Sequence, residues 1–531
     1  MSPRQGYLAL VLHAHLPFVR HPEHPLFLEE DWLFEAITET YLPLLQVFER
    51  LMEEEVPFVL TMSLTPTLCE MLSDPLLQAR YSTRLARLRE LVDRECHRTR
   101  QEPAFHRTAL MYRERLREVA HRYEEFYRRD LLAAFRRLQE AGRLEIITSA
   151  ATHGFLPLFA TRQGIRAQLR VAQANYVKHF RRPSVGVWLP ECGYNFGLDE
   201  EIVRSGFQYF FLDSHGLLYG TPRPKYGVYA PVVTPAGAVA FGRDIESSLQ
   251  VWSSQTGYPG DPVYREFYRD IGYDGEESYI APYLHEDGLR RNLGIKYHRV
   301  TGPGVPLHEK APYDPVAARE KAAEHAGNFM FNREAQASFL RAHFGKAPLI
   351  VAPYDAELFG HWWYEGPDFL NILIRRIVFD QENIALITPT EYLGQSPTLQ
   401  HITPSPSSWG DKGYFEVWLN GANDWIYRDL HRAEERMVSL ARDHRAATGM
   451  PARVINQAAR ELMLAQSSDW AFIMTAGTMV EYACKRTCDH LDRFAELHAM
   501  ARSGAVDEAR LSAIEHGDNL FPEMDFRVYC D

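Results

Sequence analysis

The sequence has few cysteines for its length and no long apolar run. Its six cysteines stand at positions 69, 96, 192, 484, 488 and 530 of 531 residues. This spacing forms neither a disulfide framework nor a paired CxxC zinc motif. No stretch reaches the 18 or so apolar residues of a transmembrane helix, and the apolar start at 7–12 lacks a signal-peptide cleavage pattern. We therefore expect free thiols, a cytoplasmic location and no membrane partner.

A surplus of basic residues is also absent. Lys and Arg number 58 against 70 Asp and Glu, which gives a formal net charge of -12. Because phosphate binding requires a basic face, this balance argues against a nucleic-acid partner. It does not affect the binding of an uncharged polysaccharide. The sequence also lacks internal repeats and low-complexity tracts, so ordinary globular domains are expected.

Short apolar runs alternate with longer helical patterns along much of the chain. The runs are apolar on both faces, which is typical of buried parallel strands. Helical patterns lie between them, for example at 33–54 and 131–141. This alternation indicates an α/β barrel or a doubly wound sheet. The apolar runs span residues 7–12, 57–62, 144–148, 185–189, 209–213, 348–352 and 384–387.

Reactive side chains follow the runs, and their number separates the two architectures. A crevice in an open sheet would draw on only two or three strand ends, whereas a closed barrel collects side chains from many strands at one face. We therefore predict a barrel. Five runs are followed by such residues, namely His13 and His15, His153, Glu191, Asp213 and His215, and Asp355.

Three regions depart from the strand and helix alternation. Residues 75–140 are rich in Arg, Glu and Leu without a strand signal, so they predict a helical insertion. Residues 255–345 indicate irregular structure followed by a helix from about Pro315. The chain becomes largely helical after residue 400. We predict a catalytic barrel over 1–400, interrupted by the insertion, and a helical C-terminal domain over 401–531.

Two carboxylates each follow a strand pattern and stand among aromatic residues. Glu191 comes directly after Trp188-Leu189-Pro190, and Asp355 comes after Pro353-Tyr354. A retaining glycosidase needs two carboxyl groups beside the sugar bond, with rings on which the sugar stacks. The simpler alternatives are a surface glutamate and an aspartate that caps a turn or helix. Glu357, two residues further, competes with Asp355 for the second role.

His13 and His15 alternate, so in an extended segment both lie on one face. One interpretation is that they hydrogen-bond to sugar hydroxyls. Another is a metal site, to which His153 could add a third ligand. The third is that they are buried histidines with ordinary hydrogen-bond partners. The residues alone leave these alternatives open.

Most of the nine tryptophans stand in short polar stretches, among them Trp252, Trp409 and Trp418. In a carbohydrate groove, a tryptophan ring faces the apolar face of a glucose while polar neighbours bind its hydroxyls. The alternative is a place in the core, which we expect for Trp188 and Trp425 in particular.

These stretches together resemble glycoside hydrolase family 57 through nearly the whole chain. Within the family, residues 250–253, 310–315 and 354–366 are most similar to the 1,4-α-glucan branching members. The resemblance implies an incomplete (β/α)7 barrel, a helical insertion, and a helical C-terminal domain that closes over the substrate groove. The family's motif regions match here as His13-Ala14-His15-Leu16-Pro17, Glu145–Pro157, Trp188–Tyr194, Tyr354–Trp363, and Ser468-Asp469-Trp470 with the following helix.

The resemblance also implies roles for individual residues. It assigns Glu191 as the nucleophile and Asp355, in preference to Glu357, as the general acid/base. It implies neither a cofactor nor a metal, because the matching His-x-His of the family is not a metal site. The implied substrate-site residues are His13, His15, Trp32, His153, Arg243, Trp252, Trp409, Trp418 and Asp469.

One implied feature concerns the acceptor. Branching members carry a mobile loop after the fifth strand, with a tyrosine that reaches over the catalytic site. Residues 220–227 match this loop, and Tyr226 matches the tyrosine. The implied partner is an α-1,4-glucan, with the protein as a monomer or small homo-oligomer.

The implied activity is the formation of α-1,6 branches. The alternatives within the family are a 4-α-glucanotransferase and an α-amylase. A non-catalytic glucan-binding protein and a metal-dependent, deacetylase-like enzyme are the alternatives from other classes.

Overall fold

The computed structural model describes residues 4–253, 256–285, 287–396 and 398–530. The outer limits of the predicted domains, residues 1 and 531, lie outside this range. Ten strands of the described residues form one sheet. They are β1 Gly6–Ala14, β2 Leu60–Leu64, β3 Leu144–Ser149, β4 Gly186–Trp188, β5 Tyr209–Leu212, β6 Val232–Val233, β7 Val239–Gly242, β8 Leu349–Asp355, β9 Ile384–Leu386 and β10 Gln400–His401.

Seven of these described strands form a curved parallel sheet in the order β8-β1-β2-β3-β4-β5-β7. Within the described residues β7 and β8 are not paired as strands. A backbone hydrogen bond of 2.9 Å from Asp244 N to Val351 O spans the gap between them. The predicted incomplete (β/α)7 barrel is therefore confirmed.

Each predicted apolar run overlaps a strand, but one of these strands is not a barrel strand. The run at 384–387 forms β9, which pairs with residues 6–8 of β1 beside the barrel path. The remaining barrel strand is β7, which the sequence analysis did not identify. Its four residues are Val-Ala-Phe-Gly, of which only valine and phenylalanine are large and apolar, so it does not stand out as an apolar run.

The alternation of side chains along β1 places the first histidine. Ala9 and Val11 lie in the apolar cluster inside the barrel, together with Trp188 and Val351. Because strand side chains alternate between faces, His13 is the next inward residue of the same row. Asp355 stands opposite His13 in the register between β1 and β8. The barrel interior therefore ends in polar groups at the carboxyl end of these strands.

Twenty α-helices of the described residues surround or extend this sheet. Those at 75–140 form the predicted insertion, and the Asp74 carboxylate caps the first of them by accepting from Leu76 N and Leu77 N. The helices are α1 Glu30–Ala36, α2 Leu42–Glu53, α3 Pro66–Ser73, α4 Pro75–Arg98, α5 Pro103–Ala120, α6 Leu131–Glu140, α7 Arg162–Phe180, α8 Leu198–Arg204, α9 Ser214–Leu218, α10 Ile245–Trp252, α11 Ile271–Asp274, α12 Glu277–Ile280, α13 Pro315–Phe344, α14 Gly366–Phe379, α15 Pro389–Gln395, α16 Trp425–Asp443, α17 Gly449–Ala465, α18 Ser468–Ala476, α19 Val480–Ser503 and α20 Glu508–Gly517.

The C-terminal helices dock on the loops at the barrel mouth. Ser467 forms an antiparallel bridge with Gly154, and Ser468 N donates to His153 O at 3.0 Å. These contacts place the start of α18 against the loop that follows β3. Among the described residues, no helix combines the length and apolar character needed to cross a membrane.

Candidate active site

Glu191 lies in a tight turn directly after β4. Both Glu191 and Cys192 have left-handed backbone conformations, with φ of 60° and 51°. Such conformations are disfavoured in residues other than glycine, and their cost is accepted mainly at functional sites. Hydrogen bonds hold the turn, from Cys192 N to Leu189 O at 2.9 Å and from Trp409 N to Glu191 O at 2.8 Å. The turn therefore fixes the position of the Glu191 carboxylate.

Two donors from beyond residue 400 bind this carboxylate. The Trp409 indole Nε1 donates to Glu191 Oε2 at 2.8 Å, and the Ser468 hydroxyl donates to Oε1 at 2.8 Å. Burial raises the pKa of Glu191 to about 7, and these two donors partly oppose that rise because they stabilise the charged form. The barrel supplies the Glu191 carboxylate, and the C-terminal region supplies the two donors that hold it.

A chain of hydrogen bonds continues from Ser468 into the barrel. His153 Nδ1 lies 2.9 Å from the Ser468 hydroxyl, and its Nε2 lies 3.1 Å from His13 Nε2. Burial lowers the pKa of both histidines well below the usual value, so each is neutral and carries one ring proton. We assign these protons so that His13 donates to His153, His153 to Ser468, and Ser468 to Glu191. All three groups then act together to orient the nucleophile candidate.

His15 differs from the other two histidines because it has an acidic partner. Its Nε2 lies 3.0 Å from Asp469 Oδ2, and its Nδ1 lies 3.1 Å from the Thr65 hydroxyl. Burial by itself would lower the pKa of His15, but the charge and hydrogen bond of Asp469 raise it. The ring stacks on His153 at 3.7 Å. An imidazole paired with a carboxylate therefore lies beside the pocket that holds Glu191.

Asp355 ends β8 and faces the same pocket. No side chain of the described residues hydrogen-bonds to its carboxyl group. Burial raises the pKa of Asp355 well above its usual range, and the nearby charges of Glu357 and Glu191 add to the rise. A carboxyl group with a raised pKa and no side-chain partner within the described residues is suited to donate a proton to a leaving oxygen.

Glu357, the rival acid, is already engaged by its neighbours. The Tyr41 hydroxyl and the backbone N–H of His15 both donate to its Oε1. Its side chain is buried, with 8% exposure, and burial raises its pKa to about 7. The geometry therefore favours Asp355 for direct contact with a substrate and leaves Glu357 as a neighbour that raises the pKa of Asp355.

Aromatic and basic side chains flank the nucleophile candidate. Trp252 is 38% exposed and lies edge-to-face with Trp409, 6.4 Å between ring centroids. The Arg243 guanidinium lies 5.6 Å above the Trp409 ring and donates to Asp213 Oδ2 at 3.2 Å. The structure thus brings these predicted residues together beside Glu191. Trp32 is not among them: its ring is partly buried against the main core and lies edge-to-face with Tyr482 of α19, with 6.1 Å between centroids.

Two groups of described residues have the spacing of metal ligands, namely His15, His153 and Asp469, and the buried set Glu461, His490 and Asp518. In the first group, every ring nitrogen already has a protein partner within hydrogen-bond distance. A histidine ligand must also be neutral, whereas the pKa of His15 is raised. The site works as a hydrogen-bond network, and the lack of a metal remains a prediction.

Comparison with known proteins gives the family. The model described as Glycosyl hydrolase family 57 matches residues 9–403. The chain belongs to glycoside hydrolase family 57. A second model, described as the C-terminal region of 1,4-alpha-glucan branching enzyme, matches residues 429–529. The two matches together cover the barrel and the C-terminal helices that bind Glu191.

Relatives of the chain carry two different activities in their names. The structure of the alpha-amylase AmyC from Thermotoga maritima is 46% identical, with a TM-score of 0.93 over 100% of this chain and 99% of that chain. A GH57-type branching enzyme from Pyrococcus horikoshii is 33% identical, with a TM-score of 0.88 over 99% and 97%. The branching enzyme TK1436 of Thermococcus kodakarensis is 34% identical over 97% of this chain and 77% of its own length.

Trp418 does not face the groove, contrary to the prediction for this family residue. It is 1% exposed and stacks face-to-face on Phe155, with 4.8 Å between centroids. The ring belongs to an apolar cluster with Trp470 and Ile426. Because protein covers both of its faces, its role is to pack the C-terminal helices against the loop after β3.

Tyr226 also lies away from the two candidate carboxylates, Glu191 and Asp355. Its ring packs against Phe344 at 5.4 Å, and the Lys346 ammonium lies 4.3 Å from its centroid. Both neighbours precede the first residue of β8, whereas Asp355 is the last of its seven residues. Seven strand residues span roughly 20 Å. The structure therefore places Tyr226 at the opposite end of β8 from the acid/base candidate.

Hydrogen bonds to the chain before the C-terminal helices hold this loop in place. Lys225 N donates to Gln400 Oε1 at 2.7 Å, and Gln400 Nε2 donates to Arg223 O at 2.9 Å. Thr221 forms an antiparallel bridge with Thr403. A loop of this length, bonded in this way, lies along β10 and does not extend over the barrel mouth.

Three contributors to the site were not assigned a role from the sequence. Ser468 belongs to the family motif Ser468-Asp469-Trp470, in which only Asp469 was assigned to the substrate site. The position of Ser468 next to Asp469 could have identified it. Tyr41 gave no signal, because it lies in an ordinary helical pattern far from any motif. Trp362 is 51% exposed after the catalytic loop and stacks on Phe267 with 4.2 Å between centroids. Its place in the aromatic stretch after Asp355 could have identified it as a platform.

Proposed function

We propose that this family 57 protein is a retaining 1,4-α-glucan branching enzyme. The main observation in support is the pair of largely buried carboxyl groups, Glu191 and Asp355, at one barrel mouth. The first is held by Trp409 and Ser468, which belong to the C-terminal region. The match of residues 429–529 to the branching-enzyme C-terminal model supports the same activity.

In the first half-reaction, Glu191 attacks the anomeric carbon of an α-1,4-linked glucose residue. Asp355 protonates the leaving glycosidic oxygen, and a covalent glycosyl-enzyme forms. The raised pKa of Asp355 keeps its proton available for this step. Trp409 and Ser468 hold the carboxylate of Glu191 at its two oxygens, which reduces the reorientation needed for attack. His15, Asp469 and Trp252 are the proposed contacts for the sugar.

In the second half-reaction, Asp355 removes the proton from an incoming hydroxyl group, and this oxygen displaces Glu191. Two inversions retain the anomeric configuration. An acceptor O6 gives an α-1,6 branch, an acceptor O4 gives a lengthened linear chain, and water gives hydrolysis. The acceptor alone decides between these products, because the first half-reaction is common to all three.

Hydrolysis is the second candidate, and one observation favours it. Tyr226 is held at the amino end of β8, so the tyrosine matched to the acceptor-side residue of branching members does not cover the intermediate. The Thermotoga maritima relative, 46% identical, is named an alpha-amylase. If this protein is an α-amylase, water hydrolyses the same glycosyl-enzyme intermediate.

The proposal includes the substrate class and the setting of the protein. An α-1,4-glucan such as amylose is the proposed donor. The six cysteines, three of them buried, form no disulfide bond within the described residues, which is compatible with a reducing compartment, and we propose the cytoplasm. A monomer or small homo-oligomer is part of the same proposal.

Incubation with amylose tests the proposed activity. New α-1,6 linkages counted by proton NMR, with few new reducing ends, would support branching. New reducing ends without α-1,6 linkages would assign the protein as an amylase. Absence of both, with Glu191→Gln identical to the unchanged protein, would contradict catalysis and favour a glucan-binding protein.

A further inference from the structure

A cleft of about 640 Å³ lies outside the barrel mouth, between the helical insertion and the segments at 269–279 and 297–298. Its walls include Phe105 from the first turn of α5 and Arg98 from the last turn of α4. The volume falls within the range of about 300–1,000 Å³ that is usual for small-molecule sites. None of the residues assigned to the catalytic site lines this cleft.

The aromatic wall of the cleft is held by one buried carboxylate. Glu95, with 0% exposure, accepts from the Tyr279 hydroxyl and the Tyr297 hydroxyl, both at 2.7 Å. Arg98 binds the same carboxylate through two nitrogens, at 2.8 and 2.7 Å. The hydrogen bonds to Glu95 fix the hydroxyls of both tyrosines. Tyr297 is 6% exposed, and the Arg94 guanidinium lies 4.4 Å over the Tyr279 ring, so only part of each ring borders the cleft. Their positions are fixed before any ligand binds, which lowers the entropy lost on binding.

Phe105 completes this wall from the other side. Its ring lies edge-to-face with Tyr297 at 5.5 Å and with His298 at 5.6 Å. Phe105 is only partly buried, so part of the ring remains open to a ligand. Fixed aromatic surfaces of this kind suit the apolar faces of sugar rings.

The polar residues of the cleft carry both charges. Arg269 Nε donates to Asp274 Oδ2 at 2.7 Å, so this pair is already neutralised. Glu102 and Glu276 also line the cleft, together with Arg98. A phosphate or a metal cation would meet groups of its own sign here. An uncharged ligand with many hydroxyls can use donors and acceptors of both kinds.

Residues 267–269 link this cleft to the loop that follows Asp355. Phe267 stacks on Trp362, and the backbone N–H of Trp362 donates to the backbone oxygen of Glu357 at 3.2 Å. Arg269, two residues later, lines the cleft, and two extended residues span only about 7 Å. Tyr268 between them is 65% exposed. Two exposed rings, Trp362 and Tyr268, therefore lie along this segment, with the partly buried Phe267 between them.

From this arrangement we propose that the cleft is a second glucan-binding site, which holds a remote part of a long α-1,4-glucan. The inference rests on the proposed function, because that function supplies a polymeric substrate. A chain of only a few glucose units fills the catalytic groove alone. A long chain extends past Trp362 and Phe267 into the cleft and gains affinity there.

Binding to the Glu191→Gln protein tests the site without turnover. In that background, Phe105→Leu removes the flat ring but keeps an apolar side chain of similar packing. We expect it to weaken amylose binding about three- to tenfold, the range for loss of one aromatic stacking contact. Phe105→Tyr keeps the ring and should bind amylose as before. The affinity for maltotetraose should not change in any of these proteins.

Tyr273→Ala is the matched control, because Tyr273 is 52% exposed in the same segment but does not line the cleft. Equal amylose affinity of the Phe105→Leu variant and its parent, at equal melting temperature, would overturn the proposal. Failure of the Glu191→Gln protein to bind amylose would overturn it as well. A third outcome separates the two proposals. If amylose binding depends on Phe105 but the unchanged protein shows no turnover, the cleft is a glucan-binding site and the proposed activity is refuted.

Discussion

The Ser468 hydroxyl donates a hydrogen bond of 2.8 Å to Glu191 Oε1, across 277 positions of the chain. Ser468 is the first residue of α18, whereas Glu191 follows β4 of the barrel. The same hydroxyl is within 2.9 Å of His153 Nδ1, so its proton is directed toward the carboxylate. The proposed nucleophile is therefore held by a group from the C-terminal helices, and the barrel alone is an incomplete site.

Ser468→Ala should shift the acidic limb of the rate profile to higher pH. The lost hydrogen bond favours the charged form of Glu191, so its removal raises the pKa of that carboxyl further. Because attack requires the ionised form, kcat/KM should fall most at low pH. A hydrogen bond to a charged group contributes about 1.5–3 kcal/mol, so we expect roughly a 10- to 100-fold loss.

The pH dependence of kcat/KM on amylose measures this effect, and Ser468→Thr is the control that keeps the hydroxyl. An acidic limb that does not move in Ser468→Ala would show that the contact has no influence on the nucleophile.

Glu357→Gln should shift the basic limb to lower pH. Burial is the main cause of the raised pKa of Asp355, and the charge of Glu357 is the second. With a neutral amide at 357, the pKa of Asp355 falls, and its proton is lost at lower pH. The glutamine oxygen can still accept from Tyr41 and His15 N, so the local structure should persist.

The basic limb of kcat against pH measures this shift. Tyr41→Phe serves as the comparison, since it removes the hydrogen bond but retains the carboxyl group at 357. A basic limb that stays in place or moves upward in Glu357→Gln would contradict the assigned influence. A complete loss of activity at every pH would instead favour Glu357 as the acid/base.

Tyr226→Ala should leave the ratio of transfer to hydrolysis unchanged. The ring packs against Phe344 and Lys346, at the amino end of β8, and has no contact with the catalytic carboxylates. The measurement is the number of α-1,6 linkages formed per new reducing end. A clear drop in this ratio would mean that the 220–227 loop reaches the site during turnover.

Trp418→Ala should destabilise the protein much more than it weakens glucan binding. The ring is 1% exposed and stacks on Phe155, and removal of a buried aromatic side chain costs about 3–5 kcal/mol. Thermal or denaturant unfolding measures the loss. Trp252→Ala is the matched control, because that ring is 38% exposed beside Trp409 and should affect binding without a similar loss of stability.

The opposite result would contradict this assignment. If Trp418→Ala unfolds at the same temperature as the unchanged protein but binds amylose more weakly, Trp418 contacts the substrate, as the family resemblance predicted.

The sequence by itself determined the barrel strands with long apolar runs and the polar groups at their ends. The reason is local, because alternation along a strand assigns each side chain to a face. Ala9 and Val11 point into the barrel, so His13 must follow them. The family motifs added Glu191 and Asp355, which the sequence alone could place only at strand ends. The strand β7 was not predicted, since only two of its four residues, Val239 and Phe241, are large and apolar.

Only the tertiary structure decided which distant residues complete the site. Trp409 and Ser468 bind Glu191 across 218 and 277 positions, and no local pattern encodes such contacts. The same holds for Trp418 and Tyr226, whose motifs matched but whose rings are covered by Phe155 and by Phe344 with Lys346. Whether a ring faces a groove or a neighbour depends on packing between segments far apart in the chain, and that packing exists only in the folded molecule.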